Sequence, residues 1–296
     1  MNRLMPLSLS LLFAVAISVG GCGKSDGPRK TVLQNKGSDT MVNLAIIWAE
    51  EYRKERPDVS IEVSGGGSGT GIAALIKGTV DIANASRNMK PQEIEQAKKN
   101  TGKDIKEIIV GYDALAVYVH KDNPLNEITF QQLKKIYVEN GSFTKWSQLG
   151  VDVPGCSGEI IRISRQSNAG TYEFFREHVL DEEDFKLGSR DMNGSKEVVE
   201  LVSSTPCSIG YSGMGYATEE VKMLKVSKAE GETAHAPTLE NTLQGLYPIA
   251  RSLQMYTLGE PQGAIKEYID WCLSNSGQAF VQESGYVPLQ AKSASP

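Results

Sequence analysis

Residues 64–73 read SGGGSGTGIA: five glycines, two serines and one threonine in ten positions. A run with so little side chain to pack is either a flexible linker or a backbone cradle that must come close to something. The neighbouring residues decide between the two. Ser60 to Val63 upstream reads as a strand, and Ile72, Leu75 and Ile76 downstream fall at the spacing of a short helix. A linker makes no sense between a strand and the helix it feeds, so the run reads as a cradle.

The same arrangement occurs twice more. Gly37-Ser38-Asp39-Thr40 opens a helix carried by Met41, Leu44, Ala45, Trp48 and Tyr52, which Pro57 ends. Asn168-Ala169-Gly170-Thr171 opens a helix through Leu180, after a strand over Glu159 to Ser164. Each loop places small hydroxyl residues and free backbone N–H groups at a helix N-terminus, where unpaired donors and the macrodipole favour an anion. Successive glycine N–H groups can form an anion-binding concavity. Plain N-capping explains one such loop. Three loops, with Arg165 just upstream of the third, make a small-anion site the better reading.

Along the rest of the chain, strand-like and helix-like runs alternate, which points to α/β architecture. Further strands are read at Thr31 to Asn35, Val80 to Ala83, Ser208 to Tyr211 and Tyr247 to Leu258, with two apolar strand runs between Ile105 and Val119. Further helices are read at Pro91 to Asn100, Phe130 to Val138 and Val198 to Ser203, with a long amphipathic helix from Ala264 to Glu283. A chain of 296 residues exceeds one typical core and implies two lobes.

Other chemistries lack their motifs. A P-loop needs Lys after its last glycine, but Ile72 follows Gly71, and G-x-G-x-x-G fits no frame of residues 65–71. G-x-S-x-G fails at its final position at both Gly66 to Thr70 and Gly210 to Met214. The three histidines, His120, His178 and His235, recommend no Ser-His-Asp triad. A net charge of −5 with no basic run is no nucleic-acid footprint, so the charge of an anion must be met locally.

Residues 1–21 carry one charge, Arg3, and a nearly wholly apolar run from Leu7 to Val19. That run is too short for a bilayer core of about 30 Å but suits a signal peptide. It ends Val19-Gly20-Gly21-Cys22, which resembles a bacterial lipobox with Cys22 as the lipid-bearing residue; residues 22–30 then form a polar tether. The remaining cysteines make no CxxC and have no histidine at ligand spacing, so no metal site is expected. Outside the cytoplasm a disulfide is permitted. Cys156 and Cys207, in the turn contexts PGCSG and TPCSI, are the candidate pair, and Cys272 is a candidate buried thiol.

With these residues in view, the chain resembles the phosphate-binding proteins of bacterial phosphate ABC transporters, a class of periplasmic substrate-binding protein. The matching stretches are GSDTM (37–41), GGGSGTGIAALIKGTVDIANASR (65–87), ISRQSNAGT (163–171), IGYSGMGYA (209–217) and YIDWCLSNSGQAFVQESGYVPL (268–289). Any one is modest, but the ordered set spans Thr31 to Leu289. The resemblance implies a type II two-lobed fold whose two crossing strands form a hinge, here near Asp113 to Val119 and Tyr247 to Tyr256. Domain 1 would hold residues 31–115 and 245–296, and domain 2 residues 116–244.

The ligand it implies is inorganic phosphate, held between lobes by the loop Ser38, Asp39, Thr40 and Met41, by Ser68, and by Arg165, Ala169, Gly170 and Thr171. Thr40, Ser68 and Thr171 would give hydroxyls, Met41, Ala169 and Gly170 backbone N–H groups, and Arg165 a charge-assisted, bidentate pair. Two departures matter: Ala169 stands where relatives often have Ser, and Arg87 where some have an Asp that accepts the proton of hydrogen phosphate. Asp113 either takes that proton or pairs with Arg87, and Asp39 is the second candidate. No cofactor and no reaction are implied. The partners implied are phosphate, an ABC permease and the membrane through a lipid anchor on an extracytoplasmic monomer. The alternatives are a binding protein for another tetrahedral oxyanion such as sulfate, a secreted serine hydrolase using Ser68 or another loop serine, and a surface or signalling protein that kept the fold without transport.

Overall fold

A computed structural model describes residues 30–289; the expected signal segment, Cys22 and the tether through residue 29 lie outside the described residues. The chain runs β1 (Thr31–Gly37), α1 (Val42–Glu55), β2 (Val59–Ser64), α2 (Ser68–Ile76), β3 (Ile82–Ala85) and α3 (Pro91–Thr101) before the long strand β4 (Ile105–His120). Next come β5 (Glu127–Thr129), α4 (Phe130–Tyr137), β6 (Ile161–Arg165), α5 (Gly170–His178), β7 (Arg190–Met192) and α6 (Ser195–Ser203). Then follow β8 (Ser208–Gly213), β9 (Val221–Met223), β10 (Lys225–Ser227) and α7 (Leu239–Leu243). The strand β11 (Ala250–Leu258) leads back to α8 (Gly263–Leu273) and α9 (Asn275–Glu283).

Hydrogen bonds connect the strands in the order β2-β1-β3-β11-β4-β8-β6-β7, with β9 also on β4 and a separate β5–β10 pair. The strand β1 pairs parallel with β2 and β3, and β6 pairs parallel with β7 and β8. These parallel sets need helical crossovers, which α1, α2, α5 and α6 supply. Between them β11 and β4 run antiparallel. Along β4, Ile105 to Ala114 face β11, whereas Leu115 to Val119 face β8. One strand thus passes from one half of the molecule to the other.

Two large cores lie on either side of that passage. In the first, α1 buries Leu44, Trp48 and Tyr52 against Tyr268, Ile269, Cys272 and Val281 of the last two helices. The Trp48 indole N–H donates to the Gly277 carbonyl at 2.8 Å, which pins α1 to α9. The second gathers Leu133, Tyr137, Trp146, Phe175, Ile209 and Tyr211 with Leu115, Val117 and Val119 of β4. The C-terminal segment belongs to the first half, where Tyr112 and Val287 exchange backbone hydrogen bonds of 2.8 and 2.9 Å.

The longer strands and helices alternate as the sequence implies, but the short elements β5, β7, β9, β10 and α7 were not read from it, and three of the longer elements differ. The two apolar runs expected between Ile105 and Val119 are one 16-residue strand, in which Val110 is the extra residue of a bulge where the register with β11 shifts at Leu253/Gln254. The single helix expected over Ala264 to Glu283 is two, because Ser274 is extended between them, its hydroxyl donating to the Trp271 carbonyl of the first and capping the second by accepting from the Gly277 N–H at 3.3 Å. The strand expected from Tyr247 starts at Ala250. Cys156 and Cys207 are joined, with Cα atoms 5.0 Å apart, and Cys272 is a buried free thiol.

Candidate functional site

The three loops singled out in the sequence follow the carboxyl ends of β1, β2 and β6, and Ser86 and Arg87 follow β3. Ligands in open α/β sheets sit outside those ends. Here the loops bring five hydroxyls together from both halves. The Ser38 hydroxyl donates to Ser86 Oγ at 3.0 Å, and Ser68 and Ser86 Oγ lie 3.4 Å apart. Thr40 Oγ1 and Thr171 Oγ1 meet at 3.1 Å, across 131 residues of sequence. All five residues are buried. Ser68 and Gly170 begin α2 and α5, whose first N–H groups have no partner within their own helices.

The glycine run works as a surface for close approach. Gly67 has φ +90°, and a Cβ there would stand 2.5 Å from the Asn168 carbonyl oxygen. No side chain fits. The same carbonyl accepts from the Gly69 N–H at 3.0 Å, and the Asn168 amide donates back to the Gly66 carbonyl at 3.0 Å. Backbone from the two halves therefore closes directly on itself beside the hydroxyl cluster. A further contact, Lys90 Nζ to Glu173 at 2.6 Å, ties the loop before α3 to α5.

Arg165 ends β6 and is 1% exposed. Its Nε donates to the Met192 carbonyl, Nη1 to Ser195 Oγ, and Nη2 to both the Asn193 carbonyl and Asp39 Oδ2. A guanidinium has five N–H groups. Four are engaged within the protein, so a single N–H on Nη1 remains for a ligand, and the bidentate pairing expected of Arg165 is not what this geometry offers. Burial lowers the Arg165 guanidinium from its ordinary value, and the Asp39 carboxylate opposes that. Asp39 also accepts from the Gly66 N–H at 2.8 Å, so it links the first loop, the second loop and the other half.

The expected pairing of Asp113 with Arg87 does not occur. Arg87 forms a two-pronged pair with Glu93, at 2.8 and 2.7 Å. Asp113, fully buried in β4, pairs with Arg251 of β11: Nε and Nη2 donate to its Oδ2 at 3.0 and 2.8 Å. Its Oδ1 accepts from the Met214 N–H at 3.1 Å. The antiparallel register places Arg251 directly opposite Asp113, which explains the choice of partner. Desolvation pushes the Asp113 carboxyl up, against the lowering by Arg251.

Two further expectations are revised. The Met41 N–H turns back onto the Ser38 carbonyl at 3.1 Å, and the Ala169 N–H closes onto Gln166 at 2.9 Å, so both backbone donors are engaged within their own loops. Ser86, Ser195 and Arg251 were not singled out from the sequence. A buried Arg within the apolar run from Tyr247 to Leu258 is the signal that could have found Arg251. Ser86 offers little signal beyond its place before Arg87.

Among the described residues no histidine hydrogen-bonds a serine hydroxyl. Among the described residues Ser68 Oγ has Ser86 as its hydrogen-bond partner, through the hydroxyl and the N–H. His178 stacks on Phe174 at 3.8 Å, His120 accepts from the Asp122 N–H, and the His235 backbone pairs with Val226. No group of three or more His, Cys, Asp or Glu among the described residues is arranged to hold a metal.

Residues 24–276 match the family model described as PBP superfamily domain. The phosphate-binding protein PstS of Pseudomonas aeruginosa is 36% identical over 272 residues, covering 88% of this chain and 84% of that protein. The protein of the same name from Bacillus subtilis is 30% identical and covers 97% of this chain and 94% of its own. Among solved structures, a putative phosphate ABC transporter substrate-binding protein from Clostridium perfringens, with bound phosphate, superposes with a TM-score of 0.76. It is 30% identical and covers 88% of this chain and all of its own. An ABC-type phosphate transport receptor from Vibrio cholerae superposes with a TM-score of 0.68 at 26% identity, covering 87% and 100%.

Proposed function

The chain belongs to the PBP superfamily, and on that premise we propose that it binds inorganic phosphate between its two halves and hands it to an ABC permease. The observation that carries this reading is the meeting of Ser38, Thr40, Ser68, Ser86 and Thr171 hydroxyls beside Arg165, at helix N-termini contributed by both halves. Hydroxyl and backbone donors satisfy a tetrahedral oxyanion without a surplus of positive charge. Both buried arginines of the site already face carboxylates, Arg165 facing Asp39 and Arg251 facing Asp113. Enclosure strengthens each of these bonds by excluding water.

Residues 31–115 with the C-terminal segment form one lobe in this reading and residues 116–244 the other, with β4 and β11 as the hinge. The protein performs no reaction: it binds, encloses and releases. It sits outside the cytoplasm as a lipid-anchored monomer, in keeping with the lipobox at Cys22 and with the Cys156–Cys207 disulfide. No described helix is long and apolar enough to cross a membrane.

Phosphate differs from sulfate at neutral pH by the proton it carries, so a carboxylate acceptor in the site discriminates between them. Asp113 has three of about four lone-pair positions filled by Arg251 and Met214, whereas Asp39 has two filled. Asp39 is therefore the acceptor in this reading. The test is calorimetric titration of the chain, stripped of anion, with phosphate, sulfate and arsenate in turn. Tight phosphate binding that sulfate does not displace supports it. Equal sulfate binding would shift the ligand to the wider class of tetrahedral oxyanions, and no binding at all would end the reading.

A further inference from the structure

We infer that Arg251, a hinge-strand residue, fixes the Thr40 hydroxyl as a hydrogen-bond donor to the bound anion, and so acts as a positioning residue for phosphate affinity. The inference rests on the phosphate reading above and deepens it. Arg251 is 4% exposed, and four of its N–H bonds are accounted for. Two go to Asp113 Oδ2, one to the Ser86 carbonyl at 3.2 Å, and one from Nη2 to Thr40 Oγ1 at 3.1 Å. Its guanidinium carbon stands 5.7 Å from the centre of the Phe174 ring, on α5. Asp113, the Ser86 carbonyl and Phe174 thus hold it from three sides.

The chemical consequence follows from what each group can do. A hydroxyl has one proton to give and two lone pairs, whereas a guanidinium only donates. While Arg251 donates to Thr40, the Thr40 proton cannot point at Arg251. It is left for an acceptor on another side, and Thr171 Oγ1, 3.1 Å away, is one such atom, although either of the two hydroxyls can be the donor. An unprotonated oxygen of the anion entering between the loops presents only lone pairs, so a hydroxyl already turned away from Arg251 meets it as a donor. Thr40 is held at its backbone too: its carbonyl accepts from the Tyr286 hydroxyl at 2.6 Å. The Thr40 side chain is thereby oriented before a ligand arrives, which saves the ordering that binding would otherwise require.

Arg251 also joins the parts that must move together. It lies on β11, its carboxylate partner on β4, and that carboxylate takes the Met214 N–H from the second half. The orienting donor is therefore anchored to the hinge strands, with the Ser86 carbonyl as a further support.

The test is a double-mutant cycle read as phosphate affinity by calorimetry, with thermal melting recorded for every protein. Thr40→Val removes the hydroxyl and keeps the side-chain shape. Arg251→Lys keeps a cation beside Asp113, but its single ammonium cannot cover Asp113, Ser86 and Thr40 together. The double variant Arg251→Gln/Asp113→Asn removes both charges at once, so that no buried charge is left alone. In the wild-type background each Arg251 variant is expected to weaken phosphate binding about tenfold. In the Thr40→Val background the same changes are expected to alter affinity less than about threefold. Equal losses in both backgrounds would overturn the inference and leave Arg251 a structural residue. Wild-type protein that binds no phosphate would overturn the reading of the site and this inference together, whereas phosphate binding with an uncoupled cycle removes the inference alone.

Discussion

Asp39 and Arg165 stand on opposite halves of the molecule, and Oδ2 of the first meets Nη2 of the second at 3.0 Å. Both are largely sequestered, at 16% and 1% side-chain exposure, so their attraction is little screened by salt. In the phosphate reading proposed above, this carboxylate, in the loop between Ser38 and Thr40, also accepts the proton of the bound phosphate. Replacing Asp39 with Asn is expected to lower the preference for phosphate over sulfate by about tenfold or more, measured by competition titration. The amide presents a donor where phosphate brings its own proton and where sulfate gains a partner. If the ratio held in Asp39→Asn and collapsed in Asp113→Asn, the assignment would pass to Asp113.

Gly170 has no room for a side chain. A Cβ built there would lie 2.3 Å from Ser68 Oγ and 2.8 Å from Ser86 Oγ, atoms of the opposite half. An added methyl group can escape that overlap if the halves stand apart. Gly170→Ala is therefore expected to weaken phosphate binding on the order of 100-fold, while the melting temperature without ligand changes by only a few degrees. Calorimetry and a thermal melt decide it. Affinity close to wild type would mean that the loops meet less closely than this geometry has them.

The Cys156–Cys207 bond closes a separation of 51 residues and sits at the other end of β6 from Arg165. The Ile161 N–H, at the start of that strand, bonds the Cys207 carbonyl at 2.9 Å. Chain-entropy reasoning gives such a crosslink on the order of 4 kcal/mol. The double replacement by Ser is expected to lower the melting temperature by roughly 10 °C, since about 1 kcal/mol moves a chain of this size by 2–4 °C. Phosphate affinity at 25 °C should stay within about twofold, because the bond lies at the far end of the strand from the binding loops. A large loss of affinity with little loss of stability would tie the bond to the site.

The sequence disclosed more of the loops than of the charges. A Gly-rich turn between a strand and a helix is a local pattern, so all three anion loops could be read from spacing alone, and the structure brings them together. Partner choice among charged residues is not local. Arg87 and Asp113 lie 26 positions apart and looked like a pair, yet strand register sets Arg251 opposite Asp113, and helix capping brings Glu93 to Arg87. The engaged N–H groups of Met41 and Ala169 depend on turn geometry that residue types do not specify. The split of the C-terminal helix was legible in LSNSGQ, where Ser274 precedes Gly277 at capping distance, but the apolar periodicity continued through it.

Glu93 gives a pH signature that separates a structural ion pair from the binding site. Burial works to raise its carboxyl, but the Arg87 fork and the Lys90 N–H outweigh it and hold the group below the usual carboxylate range. A carboxyl depressed in the folded state binds its proton more readily once unfolded. Its stabilisation is thus fully present above the unfolded pKa, near 4.5, and is lost as pH falls through the lower folded value. Asp113, raised by burial, has the opposite sign, with stability lost as pH rises, but it is common to wild type and variant and cancels in their difference. Glu93→Gln is expected to lower stability by about 2 kcal/mol at pH 7, since it leaves the Arg87 charge, 8% exposed, with only the Asn88 carbonyl and an amide for partners. That gap in melting temperature should narrow steadily below about pH 4.5, where the wild-type carboxylate also gains its proton. A gap that stays constant from pH 7 to pH 3 would show that the loss comes from packing of the longer side chain and not from its charge.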